Sequence, residues 1–132
     1  MPSGTITNDA LNLIRDLMKG DETDGEIKII AVGDDDGTIL PLAVTNSQLG
    51  NETFRKAITS HTAGGNGVVE TMGILASDES IGTIKEWGFF GGSAAVAGTP
   101  DSGVLMYRLL STHVKTALES IQVDSTDTVV QG

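Results

Sequence analysis

The chain has 132 residues, enough for one domain with a modest core and too few for two. It contains no cysteine, which excludes disulfide bonds, thiolate metal sites and thiol nucleophiles. Eighteen acidic residues against eight basic ones give a formal charge of −10, which argues against a nucleic-acid surface because phosphate contacts need clustered Lys and Arg. No apolar run approaches a membrane span and the N-terminus lacks a signal-peptide pattern, so we expect neither a membrane nor a nucleic-acid partner.

Residues 7–19 are predicted to form the one clear helix. Thr7 or Asn8 is suited to cap its first N–H groups, and Gly20 is suited to end it in the left-handed conformation. Its apolar residues recur at helical spacing and form one stripe, which must pack on the rest of the domain. The stripe consists of Ala10, Leu11, Ile14, Leu17 and Met18.

The remainder is predicted to be rich in β-strands separated by glycine-rich or acidic turns. Strands are expected at 26–32, 38–44, 67–76, 104–110 and 120–130, with turns at 33–37 and 61–67. Residues 53–60, which include Phe54, fit a strand or a short helix, and we favour the strand. Residues 111–119 fit a loop or a turn of helix. The 67–76 strand is expected to pair with the next strand through a turn at 77–82.

That next strand, residues 83–92, holds the only Trp and two of the three Phe residues. A chain with few aromatic residues places them where its core is, so this segment is predicted to be the central strand. Side-chain alternation puts Ile84, Glu86 and Phe90 on one face and Lys85, Trp87 and Phe89 on the other. Both faces are therefore partly apolar. We expect Phe54, Trp87, Phe89 and Phe90 to serve the core or an assembly contact.

Together these elements predict a single α+β domain spanning residues 1–132. One N-terminal helix is expected to pack on a mainly antiparallel sheet or sandwich of about five to seven strands. The segment 91–103 is predicted to be a flexible loop or a loop that a neighbouring subunit orders.

The sequence offers no catalytic or metal-binding signature. Asp34, Asp35 and Asp36 begin an acidic turn, but the twelfth position of a calcium loop counted from Asp34 is Thr45 instead of Glu. A solvated hairpin tip is therefore favoured over a weak calcium site. His61 and His113 have no metal spacing and are interpreted as lone surface histidines. We predict no cofactor, no metal and no enzymatic activity.

Glu86 is flanked by apolar residues in a segment predicted to be buried. A buried carboxylate needs a cation or hydrogen bonds, and Arg55 is the predicted partner. The alternative is that Glu86 points to solvent at a sheet edge, in keeping with how rarely Glu is buried.

Four stretches carry a resemblance to a known family: the helix at 8–17, Ile30-Ala31-Val32-Gly33, the Leu-Gly-Asn-Glu-Thr-Phe-Arg-Lys run at 49–56, and the segment 84–92. Their order and spacing resemble the N-terminal modules of tailed-bacteriophage tail-collar fibre and related baseplate proteins. Those modules have a helix, an AVG strand, an L-x-NE-x-x-R stretch and an E-I-G-L-F strand. The likeness extends to about Val123. Trp87 stands where the family usually has an aliphatic residue, and no fibre shaft follows.

The resemblance implies a non-enzymatic structural protein of the virion. It implies a tail, baseplate or fibre-base component that forms a homo-oligomer, with a trimer favoured, and docks on other virion proteins. The central strand and the loop 91–103 are the expected contacts. A head decoration or connector protein is the first alternative. A small carbohydrate-binding module, with exposed Trp87 or Tyr107 stacking on sugar, is the second, and a hydrolase has the least support.

Overall fold

A computed structural model describes residues 3–129 of the chain. It contains one helix and eight strands in this part. In chain order they are β1 (Ser3–Ile6), α1 (Asn8–Lys19), β2 (Ile27–Gly33), β3 (Glu52–Ala57), β4 (Ser60–Ala63), β5 (Val68–Leu75), β6 (Gly82–Gly91), β7 (Val104–Lys115) and β8 (Ile121–Thr128).

The strands form two antiparallel sheets. The first sheet has five strands in the order β1-β7-β6-β2-β3, and the second has three in the order β4-β5-β8. Together with the N-terminal helix, which contacts β7, this arrangement confirms the predicted α+β class. The number of strands exceeds the expected five to seven because β1 and β4 carry no strand signal of their own.

The helix has the predicted ends but buries a different stripe. The Thr7 hydroxyl accepts a hydrogen bond from the Ala10 N–H at 3.0 Å, and Gly20 ends the helix with a φ of 82°. Ala10 and Leu13 are its buried residues, whereas Leu11, Ile14 and Met18 are exposed. Three of the five residues of the predicted stripe thus face outward. Within residues 3–129, no helix is long and apolar enough to cross a membrane.

Strand β6 lies in the middle of the first sheet, between β7 and β2, as predicted for the segment 83–92. On one face, Phe90 packs with residues of β2 and β7 and with Leu49 and Ala95, which come from the two long loops. On the other face, Trp87 and Phe89 pack toward the second sheet. Both faces of the central strand are therefore covered by its own chain.

The predicted alternation along β6 is wrong at Ile84. The register shifts between Ile84 and Glu86, which marks a β-bulge at Lys85. Because a bulge inserts one extra residue, Ile84 shares a face with Trp87 instead of with Glu86.

The expected strand at 38–44 is absent, since no strand is assigned between β2 and β3. The Asp35 carboxylate accepts the N–H groups of Ile39 and Leu40 at 2.9 Å each, and those amides are then unavailable to a sheet.

The expected pairing of β5 with β6 is also wrong, because β5 pairs with β4 and β8 in the second sheet. The turn at 77–82 therefore passes from one layer to the other. The predicted turn at 61–67 includes most of β4, and β7 continues through part of the segment 111–119.

Candidate functional site

A cluster of three charged side chains lies inside the molecule. The Arg108 guanidinium donates to Oε1 of Glu86 from Nε at 3.1 Å and from Nη2 at 2.9 Å. Nη2 also lies 3.1 Å from Oδ2 of Asp35. The exposed fractions of Arg108, Glu86 and Asp35 are 0%, 0% and 2%. One cation thus joins two carboxylates out of contact with solvent.

The same cluster holds the long loop between β2 and β3. The Glu86 carboxylate accepts the backbone N–H of Asp35 at 3.1 Å and those of Gly50 and Asn51 at 2.8 Å each. Nη1 of Arg108 donates to the Leu40 carbonyl at 2.8 Å and to the side-chain oxygen of Asn46 at 3.0 Å. The cluster therefore anchors both ends and the middle of the loop to the central strands.

The ionised state of Asp35 is favoured by this environment. Burial alone would raise its pKa, but the N–H groups of Ile39, Leu40 and Gly37, together with the Arg108 charge, lower the pKa below its ordinary value. Asp35 is therefore a buried anion that organises the loop, which corrects its interpretation as part of a solvated tip, whereas Asp34 and Asp36 are exposed as that interpretation expects.

The predicted pair of Glu86 with Arg55 is wrong. Arg55 forms a two-fold contact with Glu52, from Nε to Oε2 and from Nη2 to Oε1, both at 2.8 Å. Arg108 lies on β7, which pairs directly with β6, the strand of Glu86. Arg55 lies on β3, which is separated from β6 by β2. Arg55 thus lies two strand spacings, about 10 Å, from β6, and its guanidinium is already bonded to Glu52.

Arg55 has a different role at the other long loop, residues 92–103. Its Nη1 donates to the carbonyls of Val96 and Ser102 at 3.1 Å each and to the Ser102 hydroxyl at 2.9 Å. The guanidinium lies 4.6 Å from the centroid of the Phe90 ring. The loop predicted to be flexible, or ordered by a neighbour, is therefore tied to β3 by its own chain.

Three of the four stretches that carry the family resemblance, all except the helix at 8–17, meet at these two anchors. Gly33 ends the AVG strand, Gly50 and Asn51 belong to the next stretch, and Glu86 belongs to the last. A Cβ atom at Gly33 would collide with the Asn51 carbonyl and with Oε2 of Glu86, so only glycine fits there. These motifs build the scaffold of the domain.

The aromatic residues singled out in the sequence lie in the core. Trp87, Phe89 and Phe90 are 8%, 4% and 0% exposed, and Phe54 packs against the Trp87 cluster while partly buried. The indole N–H of Trp87 donates to the Ser111 carbonyl at 2.8 Å. Trp87 is thus not exposed for stacking on sugar, and Tyr107, the other residue named in the carbohydrate-binding alternative, is half-buried.

The histidines are hydrogen-bonded within the domain. Nε2 of His61 lies 2.8 Å from the Ile27 carbonyl and Nδ1 lies 3.0 Å from the Thr71 hydroxyl, so the ring joins the second sheet to the first. His61 is exposed, as expected for a surface histidine, but it is not a lone residue because its ring bridges the two sheets. His113 lies 3.1 Å from Glu119. Between residues 3 and 129, no three His, Asp or Glu residues are placed to hold a metal ion.

One apolar surface lies on the helix. Leu11, Ile14 and Met18 are 57%, 43% and 83% exposed and lie at the spacing i, i+3, i+7. We call these three residues the helix stripe. Residues at this spacing share one side of a helix, so they form a continuous patch.

A second apolar surface is a cleft of about 290 Å³ between the first sheet and β8. Its walls come from Ile6, Trp87, Gly88, Phe89, Tyr107 and Leu109 on the first sheet and from residues 123–127 on β8. We call it the strand cleft.

Comparisons of the chain with protein-family models, with curated proteins and with solved structures found no match. The resemblance to tail-collar modules therefore stays a prediction.

Proposed function

We propose that this chain is a non-enzymatic structural protein of a tailed virus. Its place is the tail, most simply the baseplate or the base of the fibres. It acts by docking, as a homo-oligomer for which a trimer is the expected state, and it contacts other virion proteins. The viral identity rests on the resemblance of the four sequence stretches, and the docking role rests on the helix stripe.

The helix stripe carries the proposal because α1 has more apolar surface than its own domain covers. At about 100° per residue, the apolar arc from Leu13 to Leu11 spans about 160°, whereas a surface helix needs an arc of about 100°. Within that arc, Ala10 and Leu13 are buried against the domain, whereas the helix stripe is exposed. Apolar surface of this kind is typical of subunit contacts.

The spacing of the stripe favours another helix as the occupant. Residues 11, 14 and 18 follow the alternating three- and four-residue steps of a helix-pairing seam. Within residues 3–129 this chain has one helix, so the matching seam in a homo-oligomer is α1 of a second copy. Parallel helices around a three-fold axis would bury all three stripes and leave the acidic domains outside.

The buried charges support a structural role over a catalytic one. Glu86 accepts hydrogen bonds from three backbone N–H groups and from Arg108, and no part of it is exposed. A general acid or base must reach its substrate. Glu86 and Asp35 instead hold a loop in place.

Light scattering of the purified chain at low and at high salt tests the proposal. High salt is included because the formal charge of −10 opposes association when it is unscreened. We expect a mass three times the 13.7 kDa of one chain, constant with concentration. A strict monomer in both buffers would contradict self-assembly.

Variants of α1 show whether the stripe carries the association. Leu11→Lys and Met18→Lys should each shift the mass toward the monomer, whereas the matched Asn12→Lys on the exposed polar side should leave it unchanged. Circular dichroism checks that each variant is folded. Quantitative mass spectrometry of purified virions then places the protein, because a head decoration protein would be present in far more copies than a tail component.

A further inference from the structure

The second sheet is narrower than the first and leaves part of it uncovered. Strand β8 lies over β6, since Ile121 and Val123 pack against the clusters that contain Trp87 and Phe89. The next strands of the first sheet, β7 and β1, extend beyond β8. Their inward side chains Tyr107, Leu109 and Ile6 line the strand cleft, and Ile6 is 53% exposed. A fourth strand in the second sheet would cover them.

The edge where such a strand would add is open. Strand β8 pairs with β5 along its whole length, from Ile121 opposite Leu75 to Thr128 opposite Val68. It is the last strand of its sheet, so within residues 3–129 no strand pairs with its other side. An edge strand of eight residues presents a row of backbone donors and acceptors to an incoming extended segment.

The charge of this edge favours a basic occupant. Asp127 lies on the cleft side of β8 with Ser125, whereas Asp124 lies on the opposite side with Gln122, and within the described residues neither has an ion-pair partner. Asp124 accepts only from the Gln122 amide, at 3.0 Å, and Asp127 contacts the Ser125 hydroxyl at 3.3 Å. An acidic occupant would be repelled by both carboxylates.

We infer that β8 and the strand cleft capture an extended, basic segment of another virion protein by strand addition. Alternate apolar side chains of that segment fill the cleft over Tyr107, Leu109 and Ile6. Its Lys or Arg side chains lie on the opposite face, near Asp124. The inference rests on the proposed docking function, for which it names a second surface and the chemistry of a second partner.

Synthetic peptides with blocked ends test the inference directly. The probe is an eight-residue peptide of alternating Lys and Val, titrated into the full chain by calorimetry and by the emission of Trp87, which lies in the cleft wall. We expect saturable one-to-one binding. A matched peptide with Glu in place of Lys should bind at least tenfold more weakly, and so should a Lys-Val peptide whose alternate amides are N-methylated. Equal binding of the N-methylated peptide would overturn strand addition.

Protein variants locate the binding. Asp124→Asn and Ile6→Thr should each weaken the Lys-Val peptide at least threefold, whereas Leu118→Thr should not, since Leu118 is 96% exposed and does not line the cleft. Unchanged binding by both Asp124→Asn and Ile6→Thr would overturn the assignment of the site.

The two proposals fail separately. A wild-type chain that stays monomeric but binds the Lys-Val peptide through the cleft would contradict self-assembly and support strand capture. A trimer that binds none of the peptides would support self-assembly and overturn strand capture.

Discussion

Nη2 of Arg108 lies 2.9 Å from Oε1 of Glu86, and both side chains are fully buried. Glu86→Gln removes one of the two carboxylates that Arg108 joins, and it puts an amide NH₂ group where a carboxylate oxygen accepts backbone N–H groups. Glu86→Gln should therefore lower the free energy of unfolding by about 3–5 kcal/mol, measured by urea denaturation. The matched Glu79→Gln breaks the partly exposed pair with Lys56 and should cost less than about 1 kcal/mol.

A double-mutant cycle tests the coupling. Glu86→Gln combined with Arg108→Met should cost less than the sum of the single changes. Strict additivity would contradict the pair.

Stability should fall in acid because folding lowers the pKa of Asp35 and Glu79. For Asp35, burial raises the pKa, but the backbone N–H groups and Arg108 lower it by more. For Glu79, the largest cause of the lowered pKa is the hydrogen bond from Lys56, followed by the one from the Ala76 N–H. A lowered pKa contributes stability that is fully present above the ordinary pKa values of 3.8 and 4.5. This stability is lost as the pH falls through the lower pKa values of the folded chain. Urea midpoints should be flat from pH 7 to about pH 5 and decline below about pH 4.

Asp101 should behave in the opposite way. Burial, and then the nearby Glu52, raise its pKa above the ordinary value, so the charged form is disfavoured in the folded chain. Its φ of 63° is a conformation that Asn adopts readily. Asp101→Asn should raise the melting temperature at pH 7 and have no such effect at pH 3, where Asp is already neutral. A gain of equal size at both pH values would contradict the electrostatic cause.

Gly33→Ala should destabilise the domain by at least about 1–3 kcal/mol, because a Cβ there would overlap the Asn51 carbonyl and the Glu86 carboxylate. Gly65→Ala is the matched control, since a Cβ at Gly65 meets no atom within 4 Å. Urea denaturation compares the two. A neutral Gly33→Ala would show that the loop is not held as tightly as the contacts indicate.

Arg55→Lys should loosen the loop 92–103. A Lys ammonium cannot reproduce the two contacts with Glu52 together with those to Val96 and Ser102. Hydrogen exchange of the loop amides, followed by mass spectrometry, should become faster while β5 and β8 stay protected. Lys56→Met is the control on the same strand. Unchanged exchange in the loop would show that Arg55 does not anchor it.

Trp87 should report a buried indole. It is 8% exposed and its N–H is bonded to the Ser111 carbonyl, so acrylamide should quench its emission much less than that of a free tryptophan derivative. Because it is the only Trp, the signal has one source. A glycan titration that shifted this emission would revive the carbohydrate-binding alternative.

Local sequence patterns are sufficient to predict the ends of the helix and the position of the central strand. Thr7 and Gly20 mark the helix ends through their own backbone preferences, and the concentration of aromatic residues marks β6. The pairing of β5 cannot be predicted in this way, because its partner β8 lies about 50 residues further along the chain. Local pattern favours pairing of strands that follow one another along the chain, whereas β5 pairs with β8.

The buried cluster was only half visible in the sequence. Glu86 was recognised as a carboxylate in an apolar strand, but Arg108 has the same character, since it interrupts the apolar run Val104–Leu110. Two isolated opposite charges in two adjacent apolar strands were a signal for each other. Asp35 could not be found this way, because it lies in a loop outside the strands and, besides Arg108, its partners are backbone amides of that loop.

The order in which the strands pair has a consequence for synthesis of the protein. Strand β1 pairs with the Tyr107–Leu110 part of β7, and β5 must wait for β8. Neither sheet can therefore be completed before β7 and β8 have been synthesised. Until then the N-terminal helix also lacks β7, the strand that it contacts. A product terminated before β7 would lack Arg108, the partner strand of β1 and the partner strand β8 of β5. Such a fragment would be unfolded and therefore open to degradation by cellular proteases.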